Sequence, residues 1–193
     1  ERALAERPEI TPEIEWRPFQ LNPQMPEAGL DRKTYMQAKF GGDEQAQEIY
    51  QAIEQAGEVE KIPFAFDAIT RVPNTVASHR LISWSLKSGN QDNVVESLFR
   101  GYFVDGKDIG ETDVLTSIAG EAGLDEAEAA AYLASEEGVE QTLEETREAQ
   151  QLGISGVPCF IFDGKYAVSG AQGPEVFSQV FDLALQPHEA VRG

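Results

Sequence analysis

Gly153-Ile154-Ser155-Gly156-Val157-Pro158-Cys159-Phe160-Ile161-Phe162-Asp163-Gly164 is the stretch on which the reading of the fold turns. Gly153 stops the helical pattern ahead of it. Val157-Pro158 stands directly before a short, wholly apolar run, Cys159 to Phe162, and Asp163-Gly164 closes that run with a turn. Tyr166 to Val168 alternates on the far side, so the two runs predict a β-hairpin. Proline has no N–H to give to a ladder, so Pro158 must open the strand or bend the chain into it. An X-Pro bond has only a small trans preference, and packing can hold it cis. In that geometry the N–H and C=O of Val157 face outward, free to pair with an extended peptide or with the cysteinyl backbone of glutathione. The same residues also suit an ordinary trans turn opening a core strand. Both readings stand at this level.

Outward from the hairpin, Gly170 leads through Pro174 into a terminal helix with Val176, Phe177, Val180, Phe181 and Leu185 on one face. After Pro187 the tail, with His188, reads as frayed and solvent-exposed. Upstream lies a helical block. Asp31 to Lys61 breaks at Gly41 and Gly42; Asn74 or Thr75 can cap a helix to Lys87; another helix runs from Asp92 to Phe103. Three more span Thr112 to Ala122, Asp125 to Ala134 and Glu136 to Leu152, with Thr112, Asp125 and Ser135 as N-cap candidates. Glu1 to Arg7 reads as the last turns of a helix stopped near Pro8. Glu13 to Leu21 alternates through Ile14, Trp16 and Phe19 as a strand does. Two β pieces on either side of a helical block predict an α/β domain whose sheet is interrupted by an all-helical insertion. The expected parts are 1–30 and 151–187 for the sheet-bearing domain, 31–150 for the insertion, and 188–193 for a tail.

Composition removes several function classes. The chain of 193 residues has 15 Lys plus Arg against 34 Asp plus Glu, a net charge of −19. Phosphate neutralisation needs clustered cations, so nucleic acid is not an expected partner. No apolar run approaches the roughly 20 residues of a membrane-spanning helix, and no membrane partner is expected. The single cysteine, Cys159, and only two histidines offer no ligand set at metal spacing, so no metal is expected. No signal peptide is visible ahead of Glu1, and the expected compartment is the cytoplasm.

The run Gly153 to Gly164, continued by Tyr166-Ala167-Val168-Ser169-Gly170-Ala171-Gln172, resembles the C-terminal part of DsbA-family proteins of the FrnE type. Trp16-Arg17-Pro18-Phe19-Gln20-Leu21-Asn22-Pro23 is similar to that family's second strand and loop. Pro73-Asn74-Thr75, Ser78-His79-Arg80-Leu81, Tyr102-Phe103 and Asp108-Ile109 are similar to its helical insertion. The resemblance implies a thioredoxin-like fold, a cis-proline at Pro158, and a CxxC motif on the first strand-to-helix turn. This chain contains no CxxC, so the resemblance places that motif and the first strand ahead of Glu1 and implies that these 193 residues alone are catalytically inactive. The implied chemistry is thiolate attack on a disulfide through a mixed disulfide, by a cysteine activated at a helix N-terminus. The implied partner is a thiol or disulfide substrate, protein or glutathione-like, with glutathione as a possible co-substrate and no other cofactor. The chain would act as monomer or homodimer. Two alternatives share the fold: a glutathione-dependent isomerase or transferase, of the 2-hydroxychromene-2-carboxylate isomerase or kappa class, that uses a serine, and a non-catalytic thioredoxin-like binding module.

Four further side chains carry two readings each. Cys159 is either a small buried core residue or a third thiol beside the missing pair. His79 either orients a ligand or is a hydrogen-bonded packing residue. Asn22 either bonds a peptide-like ligand or forms the turn before Pro23. The pairs Phe99 with Phe103 and Phe177 with Phe181 read as core; Glu144, Glu145 and Glu148 read as a solvated helix face.

Overall fold

Helix starts and stops fall where glycine, proline and short polar side chains direct them. The computed structural model describes residues 2–41 and 43–186, with backbone alone for 43–46. In chain order it contains α1 (Arg2–Ala5), β1 (Leu30–Asp31), α2 (Arg32–Phe40), α3 (Asp43–Glu60), β2 (Arg71–Val72), α4 (Val76–Ser85), α5 (Gln91–Phe103), α6 (Thr112–Glu121), α7 (Glu126–Leu133), α8 (Val139–Gln151), β3 (Cys159–Phe162), β4 (Tyr166–Ser169) and α9 (Pro174–Ala184). Asp31 caps α2 by accepting from the Thr34 N–H at 2.9 Å, and Asp125 caps α7 through the Glu128 N–H at 2.9 Å. Thr112 does not cap α6: Glu111 stands at that position and makes no side-chain cap bond. The Ser135 hydroxyl accepts from the Glu137 N–H at 3.2 Å, and α8 begins only at Val139. His188 and the rest of the tail lie outside the described residues.

The chain forms two compact units, Glu15–Arg147, and Glu1–Ile14 with Glu148–Gly193. In the first, α4, α5, α6 and α7 bury one apolar cluster in which Leu81, Val94, Leu115 and Ile118 are wholly inaccessible to solvent. Each such side chain contributes about 1.5–3 kcal/mol relative to exposure, so this cluster dominates the unit's stability. A short antiparallel ladder pairs Leu30 with Val72 and Asp31 with Arg71.

In the second unit β3 and β4 pair antiparallel, Cys159 with Ser169, Phe160 with Val168, Ile161 with Ala167 and Phe162 with Tyr166. Asp163 (φ 50°) and Gly164 (φ 65°) both take positive φ in the connecting turn, the requirement that selects Asp-Gly there. The hairpin's inner face rests on α9: Phe160 meets Phe177 edge-on at 4.9 Å and Phe162 meets Phe181 at 5.8 Å. The short α1 packs on α9 with Ala3 buried, and Arg7 pairs with Asp182 at 2.7 Å.

The segment Glu13–Leu21 is the element that departs from the strand expected of it. It is extended but joins no ladder among the described residues. The Trp16 N–H donates to Gln91 Oε1 at 2.8 Å and its C=O accepts from Gln91 Nε2 at 3.1 Å, so a side chain satisfies the backbone groups that a strand would have.

Candidate functional site

The loop from Gly153 to Pro158 is built to deliver an exposed backbone to the start of β3. Gly153, at φ 84°, ends α8 with Ile154 N–H bonded back to the Ala149 carbonyl at 3.0 Å, a left-handed stop that glycine takes without a Cβ penalty. The Val157–Pro158 peptide is cis. The Pro158 carbonyl accepts from the Gly170 N–H at 2.8 Å, which fixes the hairpin's phase. With that bond, Cys159–Ser169 is a non-hydrogen-bonded pair and Phe160–Val168 a hydrogen-bonded one. Cys159 and Ile161 therefore direct their N–H and C=O away from β4, and Val157, half exposed at 51%, has no backbone partner among the described residues. Side chains alternate too: Phe160 and Phe162 face α9, while Cys159 and Ile161 face the opposite side, where Ile161 is 53% exposed. Cys159 is a free thiol and half-buried, where the core reading expects it buried.

Val157, Pro158 and Cys159 thus come together at one strand end. Asn22 and His79 belong to the other unit. Asn22 is exposed, its carbonyl closes a turn by accepting from the Met25 N–H at 3.0 Å, and its Oδ1 accepts from the Tyr35 hydroxyl at 3.3 Å. The Met25 carbonyl accepts from Asn74 Nδ2 at 2.8 Å, and Asn74 Oδ1 takes the Val76 N–H at 3.0 Å, opening the helix that carries His79. His79 Nδ1 lies 2.7 Å from the Thr75 carbonyl one turn back. Burial lowers its pKa from the ordinary histidine value, against the raising effect of that carbonyl. The imidazole is held neutral at physiological pH, with Nδ1 protonated toward Thr75.

A second concave feature lies wholly within residues 15–147. A cavity of about 100 Å3 is walled by Arg32, Tyr35 and Met36 of α2, Tyr50 of α3, Phe66 and Ile69, and Tyr102 and Phe103 of α5. The Arg32 guanidinium sits over the Tyr50 ring at 4.8 Å and near the Phe66 ring at 5.9 Å. Burial pushes the Tyr102 hydroxyl up to about 12, with Arg32 opposing that shift. The sequence reading passed over this cavity. The one available signal was Arg32 followed at three and four residues by Tyr35 and Met36, a cation on the same helix face as large apolar side chains.

Arg80 stands next to His79 on α4. It is 5% exposed and its guanidinium donates to four backbone carbonyls, Glu137 at 2.8 Å, Leu133 at 3.3 Å, Tyr132 at 2.9 Å and Ser135 at 2.7 Å. They lie at the end of α7 and in the turn beyond it; the Tyr132 carbonyl also accepts from the Ser135 N–H at 3.1 Å and from the Ser135 hydroxyl at 2.7 Å, and Arg80 adds a C-terminal cap to that helix. Glu145 also departs from expectation: its side chain is 13% exposed and pairs with Arg17 at 2.8 Å, so it is not a free solvated charge. No helix among the described residues is long and apolar enough to cross a membrane, and no three potential ligands cluster there for a metal ion.

A family model described as the DSBA-like thioredoxin domain matches residues 1–182. A probable DsbA oxidoreductase from Streptomyces coelicolor, SCO1869, is similar in structure with a TM-score of 0.83 at 30% identity, over 98% of this chain and 84% of that one. The "Uncharacterized protein YwbO" of Bacillus subtilis (strain 168) is 26% identical over 169 residues, 86% of this chain and 80% of its own.

Proposed function

The chain belongs to the DSBA-like thioredoxin domain family, and on that premise we propose that it forms the greater part of a thiol-disulfide oxidoreductase or isomerase whose substrate docks at Val157 and Pro158. Its fold is the DsbA-like thioredoxin fold with a predominantly helical body. The observation that carries the proposal is the open backbone at Val157 and along the outer edge of β3, where main-chain groups have no partners among the described residues and an extended peptide can supply them.

The residues present hold one cysteine, so the reading takes the redox pair from a CxxC preceding Glu1. A thiolate of that pair attacks one sulfur of a substrate disulfide, forming a mixed disulfide and releasing the other sulfur as a thiolate. The second cysteine then attacks the mixed disulfide, leaving the enzyme oxidised and the substrate as a dithiol; two molecules of a thiol such as glutathione return the enzyme to its dithiol and leave as their own disulfide. The partner in this reading is a protein or glutathione-like thiol or disulfide, the compartment is the cytoplasm, and no metal takes part.

The test is insulin reduction by the gene product that includes the residues preceding Glu1, with glutathione as reductant. Turnover abolished by alkylation is expected, with none from the 193-residue chain alone. A peptide trapped as a mixed disulfide should slow hydrogen exchange at the Val157 amide. A product with serine in place of the nucleophilic cysteine and no insulin turnover, or a Val157 amide indifferent to the trapped peptide, refutes the proposal.

A further inference from the structure

The helical unit holds a cavity that thiol-disulfide exchange does not use. We propose that this cavity binds a small monocarboxylate with a short apolar body, the carboxylate on the Arg32 guanidinium and the apolar part against Tyr50, Phe66 and Phe103. This goes beyond the oxidoreductase reading and does not depend on it.

Arg32 is a cation with no counter-ion among the described residues. Arg32 is half-buried, and its backbone N–H is taken by the Thr70 carbonyl at 2.9 Å, but among the described residues its guanidinium makes no hydrogen bond and no ion pair. Its contacts are the faces of Tyr50 and Phe66. Ring faces attract the charge but leave the five N–H donors of the fork without acceptors. In a chain with 34 acidic residues and 15 basic ones, a partner would be easy to supply, and Arg7, Arg17, Arg71, Lys107 and Arg147 each have one. Among the described residues, the acids beside Arg32 are engaged elsewhere. Asp31 accepts from the Thr34 N–H and hydroxyl at 2.9 and 3.0 Å, and Asp108 pairs with Arg71 at 3.2 Å while taking the Gly110 N–H at 2.9 Å. A guanidinium oriented by aromatic stacking, with its fork unsatisfied, matches the planar two-oxygen edge of a carboxylate.

The rest of the cavity selects what the carboxylate is attached to. Met36, Phe66 and Ile69 are buried, Val72 of β2 adds a partly buried apolar wall, and apart from Arg32 the remaining walls are aromatic. The tyrosine hydroxyls are committed: Tyr102 donates to the Arg71 carbonyl at 3.3 Å, Tyr50 lies 3.4 Å from the Met36 sulfur, and Tyr35 donates to Asn22 while accepting from Lys39 Nζ at 3.0 Å. A strongly hydrated ion such as phosphate would lose its water to these apolar walls without enough donors in return. A cation would be repelled by Arg32, and Lys39 at the Tyr35 hydroxyl adds a second positive charge. The volume, about 100 Å3, exceeds several-fold the roughly 10–15 Å3 that one water needs but limits the ligand to a single small ring or a short branched chain.

The test is titration of the 193-residue chain at low salt with benzoate, its positively charged isostere benzamidine, and inorganic phosphate, followed by amide and arginine Nε–Hε chemical shifts. Benzoate should bind with a Kd of about 1 mM or tighter, shifting the Arg32 side chain and the amides of Tyr50, Phe66 and Tyr102. Benzamidine and phosphate should each bind at least about tenfold more weakly, a gap of about 1.4 kcal/mol. Arg32→Gln should weaken benzoate by at least about tenfold, with Arg32→Lys in between because a point charge replaces the fork. The comparison of benzoate with benzamidine needs no variant, so it stands if Arg32→Gln fails to fold. Equal binding of the two isosteres, equal binding of phosphate, no benzoate shifts at Arg32, or an Arg32→Gln protein that binds benzoate as the parent does would each overturn the proposal.

Discussion

Replacing Arg80 by methionine tests whether one guanidinium holds the end of α7. The side chain is 5% exposed, donates to four carbonyls between 2.7 and 3.3 Å, and lies over the Tyr132 ring at 5.0 Å. Methionine fills most of the volume but gives those oxygens nothing. The carbonyls of Ser135 and Glu137 belong to exposed residues and can turn to water, and that of Tyr132 keeps the Ser135 N–H and hydroxyl; the carbonyl of buried Leu133 has no other donor among the described residues. With hydrogen bonds to charged groups at about 1.5–3 kcal/mol each and one of them not replaceable, the expected loss is about 1.5–3 kcal/mol. For a chain of this size that lowers Tm by roughly 3–12 °C. Urea unfolding followed by fluorescence gives the number, because Trp84 stacks on Tyr132 at 5.5 Å and reports from the same cluster. Arg80→Lys should recover less than half of the loss, since an ammonium cannot reach four diverging carbonyls. A loss under about 1 kcal/mol for the methionine variant would refute this account, because it would mean that the carbonyls are satisfied without Arg80.

Three further outcomes follow from the same kind of reasoning. The folded-state pKa of His79 lies below the ordinary value of 6.5, so its contribution to stability is complete above that value and is lost as pH falls through the folded pKa; urea midpoints should drop between about pH 7 and 5, and His79→Gln should flatten that drop. Tyr102 is displaced the other way, to about 12 from 10.0, so its neutral hydroxyl stabilises the fold fully below 10 and ceases to as pH rises through about 12; burial raises Tyr132 as well, and of the late phase in an alkaline absorbance titration Tyr102→Phe should remove the part near 12 and leave the rest. Gly89→Ala and Gly106→Ala both place a side chain at positive φ, 70° and 67°, but a Cβ at Gly89 meets nothing within 4 Å while one at Gly106 falls 2.6 Å from the Ala68 carbonyl oxygen. Thermal or urea denaturation should give about 1–2 kcal/mol for the first and about 3 kcal/mol or more for the second.

The parts of this molecule that were legible in the sequence are those whose signals are local. Asp163-Gly164 between two short apolar runs specified the hairpin, and the phenylalanines at 177 and 181 specified the face of α9 that covers it, because turn chemistry and helical spacing act within a few residues. The glycine break at 41–42 separated α2 from α3 for the same reason. What failed depended on distant partners. The alternation of Glu13–Leu21 predicts a strand, but a ladder needs a neighbour, and in this unit the glutamine at the start of α5 satisfies the segment instead. Glu145 is covered because Arg17, 128 residues earlier in the chain, reaches it. Of the candidate site, Val157 and Pro158 were marked by proline's missing donor, a local fact; the Arg32 cavity gathers side chains from three helices and a connector, and no window of sequence contains it.

The clamp at Trp16 makes one side-chain amide stand in for a neighbouring strand. Gln91, 4% exposed, accepts from the Trp16 N–H with its oxygen, while its nitrogen donates both to the Trp16 carbonyl at 3.1 Å and to the Ile82 carbonyl at 3.2 Å. A strand would spread this task over many peptide groups; here it is concentrated in two atoms of one amide, an oxygen that accepts and a nitrogen that donates. Deamidation to glutamate keeps the acceptor but turns the donor into an oxygen facing two other oxygens, and buries a negative charge with them. Chemical ageing at this single position would therefore let go of the extended segment at Trp16 while leaving the amino-acid spacing of every helix unchanged.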